Sequence, residues 1–164
     1  MPHCWGGIPW VRTGSLVKSS KWLARNRLWH NPYWRRYRFK GGEAMKVNIQ
    51  SIVEKGNRDK ERIILKAVND TDIGDFIVVQ TGFSDGQVTI DTYHTFWFPY
   101  KAVSAGDLVV LYTKSGKQNE KELRNGKKAH FFYWGLNGPI WNKKDRAPVL
   151  LHAPEWTSKS PDEL

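Results

Sequence analysis

The sequence predicts an all-β protein, an antiparallel β-sandwich preceded by a basic extension. Three observations carry that reading. From Met45 onward the apolar residues recur with a period of two rather than 3.6. The apolar runs are short and rich in β-branched and aromatic residues. Clusters of Gly, Asn and Asp separate them at regular spacing, as a sandwich of roughly seven strands requires.

The elements follow in order. In "ERIILKAV" the residues Ile63, Leu65 and Ala67 share one face, and Ile64, Lys66 and Val68 the other. "NDTDIGD", residues 69–75, is a turn built on short polar side chains. "FIVVQT" is a second strand, and Asp85-Gly86 marks a hairpin turn into "VTIDTY". "HTFWFPY" follows, with Pro99 at its edge or end. Ala105-Gly106-Asp107 turns the chain into "LVVLYT", where Leu108, Val110 and Tyr112 alternate with Val109 and Leu111. "KQNEKELRNGKK" has no apolar stripe and reads as a solvated loop with one helical turn. "AHFFYW" and "APVLLHA" supply two more strands around "GLNGPIWNKKDR".

Taken together, "ERIILKAVNDTDIGDFIVV", "AGDLVVLYT" and "WGLNGPIWNKKDRAPVLL" resemble the lamin-tail domain family over residues 58–153. The matching positions are Glu61 to Asn69, Asp72 to Gly74, Gly106-Asp107 with Leu108 to Leu111, Trp141-Asn142, and Asp145 to Leu150. Lys144 stands where that family usually has Gly, and Pro148 replaces a threonine-like residue. The resemblance implies an immunoglobulin-like sandwich and a non-catalytic interaction module, of the kind found in bacteria alone or beside nucleases and hydrolases. It implies no catalytic residues.

The chain changes composition near residue 44. Residues 1–44 carry nine bases and one acid, net +8, whereas 45–164 carry the other 17 bases and 15 acids, net +2. Five of the nine Trp lie in the first part. "WLARNRLWHNPYWRRYRFK" sets rings between arginines, which suits a nucleic-acid arm in which Arg35, Arg36 and Arg38 contact phosphates. Asn31-Pro32 stops any helix there after about two turns. The competing expectation starts from "KGGEAM", which a purine-rich ribosome-binding sequence ahead of an initiating Met45 would also encode. On that reading residues 1–44 are a translated leader; otherwise they are a disordered arm or a folded part of the domain. The expected organisation is thus an extension over 1–44, a sandwich over 45–157 and a polar tail over 158–164.

The lone Cys4 excludes an intramolecular disulfide, and the chain has neither an 18-residue apolar run nor a secretory apolar core. A cytoplasmic protein is expected. The terminal "PDEL" is read as a chance likeness to a retention signal. His94, His130 and His152 fall on separate strands without ligand spacing, and Asp70, Asp72 and Asp75 serve a turn more readily than a Ca²⁺ site. Gly82, Gly86 and Gly106 stand singly, and Ser84 and Ser104 lack a nucleophile context. No cofactor and no active site are expected.

Binding residues are sought among aromatics. Consecutive strand residues face opposite ways, so the runs around Trp97-Phe98 and Tyr133 must leave some rings for solvent or a partner. Trp97, Phe98 and Tyr133 are the interface candidates, with a thick core as the competing explanation. Trp141 with Asn142 reads as a core anchor beside a turn-satisfying amide, a stacking platform being the alternative. The expected partner is a protein, with nucleic acid as the alternative through residues 1–44.

Overall fold

The computed structural model describes residues 44–163. Ten strands follow in order: β1 Val47–Val53, β2 Arg62–Ala67, β3 Thr71–Asp72, β4 Phe76–Ser84, β5 Gln87–Trp97, β6 Ala102–Val103, β7 Leu108–Tyr112, β8 Asn119–Glu122, β9 Lys128–Tyr133 and β10 Arg146–His152. They form a five-stranded sheet in the order β1-β2-β7-β9-β8, a three-stranded sheet β10-β4-β5, and a two-stranded ribbon β3-β6. The fold is a sandwich-like all-β architecture. Among the described residues no helix is long and apolar enough to cross a membrane.

The period-two pattern selects the core. Ile63, Leu65 and Ala67 of β2 are fully buried, with Val47 of β1, Val109 and Leu111 of β7, and Phe132 of β9. The other sheet answers with Phe76 and Val78 of β4, and with Phe98 just beyond β5. Packing of two apolar faces against each other is what each sheet lacks alone. The β4–β5 turn at Asp85-Gly86 has φ of 53° and 79°, the doubly left-handed pair that Asp-Gly hairpins favour. Pro148 sits on β10, an edge strand, where its missing N–H leaves no gap in the ladder.

Four features depart from the sequence reading. β1 escapes the pattern because a bulge between Ile49 and Ser51 shifts its pairing with β2 and breaks the alternation. "VTIDTY" and "HTFWFPY" form one continuous strand, β5, whose pairing with β4 shifts twice. The expected loop with a helical turn contains β8, four exposed polar residues that are strand only because they pair with β9. Finally, β7 and β9 run parallel, so the five-stranded sheet is not purely antiparallel. The chain passes from β7 to the far edge as β8 and returns between them as β9.

A carboxylate joins the sheets to the long loop before β10. Glu61, fully buried, accepts from Gly56 N at 2.8 Å, Thr113 Oγ1 at 2.9 Å, Ile140 N at 2.7 Å and Trp141 N at 3.2 Å. Gln80 of β4 donates through Nε2 to Ile140 O, while its Oε1 accepts from His94 Nδ1 at 2.8 Å. One residue, Ile140, is thereby tied to the strand lead-in of one sheet through its N–H and to the other sheet through its carbonyl.

Replacing Glu61 by Ala leaves three backbone donors and one hydroxyl without their acceptor, and the expected loss is about 3–5 kcal/mol in urea unfolding. Glu61→Gln keeps the shape but turns a donor toward donors, with an expected loss of about 2 kcal/mol. A change below about 1 kcal/mol in both variants contradicts the clasp.

Candidate functional site

The described residues offer two surfaces with chemical content. The first is a cleft of about 320 Å³ lined by Tyr100, Lys101, Gln118, Glu120, His130 and Phe132, among others. Strands β8 and β9 form one wall, and the segment after β5 forms the other. Glu120 binds Lys101 Nζ at 2.9 Å and Lys128 Nζ at 3.1 Å. Hydrogen bonds to these two ammonium groups push its carboxyl down to about 2.

Behind Glu120 lies a buried pair. The parallel register sets His130 opposite Val109, on the inward face, where its side chain is almost wholly buried. Its Nε2 is 3.2 Å from Asp107 Oδ2. Asp107 also accepts from Lys128 N at 2.9 Å and Ser104 N at 3.0 Å. Burial works against its charge, yet these two backbone donors and His130 hold its carboxyl below the ordinary value. The carboxylate accepts, so His130 donates to it from Nε2. The other ring nitrogen, Nδ1, is buried with no hydrogen-bond partner among the described residues, and Glu120 Oε2 stands 3.5 Å from it.

The second surface is aromatic. Trp97, 44% exposed, donates Nε1–H to Gly74 O at 2.8 Å and meets Trp156 edge-on at 5.1 Å. Trp156, 54% exposed, donates Nε1–H to Tyr100 Oη at 3.3 Å. Along β5, the edge strand of its sheet, Val88, Ile90 and Tyr93 are exposed, with Ile90 at 84%. The Arg146 guanidinium covers the Tyr93 ring at 3.7 Å.

Trp97 is therefore exposed, as an interface residue must be. Phe98 is corrected: it is 3% exposed and packs edge-on against Phe96 and Phe132 in the core, because the alternation that exposes Trp97 turns Phe98 inward. Tyr133 is half-buried on the outer face of the five-stranded sheet, stacked on Tyr112 at 5.5 Å and away from Trp97's cluster. Trp141 is buried beside Trp134 at a ring distance of 6.3 Å. Asn142 is corrected as a core residue, since its side chain is exposed; Glu61, not Asn142, satisfies the loop's backbone donors. Arg35, Arg36 and Arg38 lie outside the described residues, as does the whole 1–43 segment.

Asp72 Oδ1 accepts from Gly74 N and Lys101 N, and Asp70 Oδ1 from Ala105 N, so these acids serve the turn. Among the described residues no group of three or more His, Cys, Asp or Glu is placed to hold a metal ion. The sequence reading missed Asp107 and Glu120 because they looked like turn and loop, Tyr100 because it closes the aromatic run "HTFWFPY" beyond Pro99, and Trp156 because it follows the last strand. Trp156 alone carried a signal, an isolated indole in a polar stretch. No family model matches this chain, and no curated protein does.

Glu120 supplies a direct check. Its ionised form is favoured by the fold, so the associated stability is full above about pH 4.5 and is lost as pH falls toward 2. Carboxyl NMR should show its midpoint near 2, moving up toward 4.5 in Lys101→Ala. A midpoint already near 4.5 in the unmodified protein contradicts the bridged geometry.

Proposed function

We propose that residues 45–157 form a non-catalytic binding module resembling lamin-tail domains, and that the module holds another protein along the β5 edge and the Trp97–Trp156 ledge. The observation that supports this most is the coincidence of a strand edge that is unpaired among the described residues with exposed Val88, Ile90 and Trp97 beside a fixed indole. An open edge offers backbone donors and acceptors to an incoming strand, and flanking apolar side chains give it affinity. The indole N–H groups are already satisfied within the chain, so both rings are held in place before binding and lose little freedom on contact. Rings of this kind carry much of the energy in protein interfaces.

The test compares the full chain with a protein of residues 45–164, each immobilised and exposed to a lysate of the source cells, with bound material identified by cross-linking and mass spectrometry. The expected result is one protein partner retained by both forms, weakened at least tenfold by Trp156→Ala, and insensitive to moderate salt. Retention of polynucleotide alone, by the full chain alone, with release by salt, would transfer the function to the basic extension. Turnover of an ester or phosphodiester by the purified protein would sink the non-catalytic reading.

A further inference from the structure

The net charge of +2 over residues 45–164 conceals a strong asymmetry. Residues 114–128, which hold β8 and its connections, carry six bases (Lys114, Lys117, Lys121, Arg124, Lys127, Lys128) and two acids, net +4. The rest of 45–164 carries 11 bases and 13 acids, net −2. Positive charge is thus gathered on the hairpin that walls the cleft. Lys117, Lys121, Arg124 and Lys127 are exposed and make no ion pair among the described residues, whereas Lys128 is neutralised by Glu120.

We infer that the β8–β9 hairpin and its cleft bind single-stranded nucleic acid, the four free cations following the phosphates while a base enters the cleft beside Tyr100. Three observations converge. The unpaired cations complement a polyanion and not a neutral or basic partner. Tyr100 is 67% exposed at the cleft mouth and is braced by Trp156, so a ring face is available for stacking. Inside, the Glu120 carboxylate presents acceptor oxygens, 3.5 Å from the buried His130 Nδ1, which has no hydrogen-bond partner among the described residues.

The partly exposed Glu120 carboxylate accepts hydrogen bonds, and the imino or exocyclic N–H groups of bases are donors that can reach it. Gln118 and Asn119 add amides that can both donate and accept at a base edge. An acidic polypeptide would meet the cations equally well, but its carboxylates bring negative charge and acceptors to a cleft that already holds the Glu120 carboxylate. The inference does not depend on residues 1–44 or on the β5 edge.

The test uses the full chain and fluorescent dT25, with affinity measured across a salt series. In Lys117→Glu/Lys121→Glu/Arg124→Glu/Lys127→Glu, affinity should fall more than tenfold. If four phosphate contacts vanish, the slope of log affinity against log salt should shrink by about 3. Tyr100→Ala, at an exposed position, should weaken binding roughly five- to hundredfold with the slope unchanged. The His130 ring signals should move in NMR when dT25 is added.

Unchanged affinity in the quadruple variant overturns the inference in favour of the basic extension. No loss in Tyr100→Ala reduces the surface to an unspecific cationic patch and also overturns it. Polyglutamate binding as tightly as dT25, with the same dependence on Tyr100, assigns the face to an acidic protein instead. The quadruple variant leaves the β5 edge and the Trp97–Trp156 ledge intact and so tests this face apart from partner capture, whereas Tyr100→Ala also removes the hydroxyl to which Trp156 donates.

Discussion

Two sheets that share an apolar interface still need something to fix the long chain segment lying across their open end. Here Glu61 performs that task. A buried carboxylate at the entry to β2 accepts from Gly56, from Thr113 and from the adjacent Ile140 and Trp141, three separate stretches of the chain. A buried charge is costly unless donors surround it, and the same cost makes the arrangement all-or-none. The loop must close on Glu61, or Glu61 must reach solvent. Gln80 completes the constraint from the opposite sheet, and Trp141 is carried into its buried position as the loop is drawn down.

The outer surfaces follow from how the strands end up ordered. Placing β9 between β7 and β8 forces one parallel pairing and sends a polar, basic hairpin to the sheet edge. It also turns His130 inward, where Asp107 fixes its Nε2–H and leaves Nδ1 facing Glu120. The charge network at this edge is matched: Lys101 and Lys128 answer Glu120, and His130 with two backbone N–H groups answers Asp107. At the other sheet, β5 has no second neighbouring strand among the described residues, and its bulged pairing with β4 leaves Ile90 almost fully in solvent. Two unlike faces, one apolar and one cationic, sit on the same small domain.

Much of the fold was legible in short-range pattern. Alternation in "RIILKA" named Ile63, Leu65 and Ala67 as one face, and all three are buried. Asp85-Gly86 named its hairpin, and the backbone there is left-handed at both residues. Pattern failed where pairing, not residue preference, made the strand. The bulge in β1 scrambled its period, and β8 has no apolar residue to betray it. The aromatic candidates divided for a related reason: alternation says that Trp97 and Phe98 face opposite ways, but not which of the two faces the core.

The sequence by itself determined the all-β class, the main turns, and the division between a basic extension and a nearly neutral domain, because composition and period-two alternation are local properties that each segment carries alone. Only the tertiary structure decided the strand order, the parallel pairing of β7 with β9, the inward turn of Phe98, and the meetings of Glu61 with Ile140 and of Asp107 with His130. Those contacts join residues 79 and 23 positions apart. Hydrogen bonds of that span are chosen by how the packed sheets bring distant segments together, and nothing in the residues near either partner encodes the other.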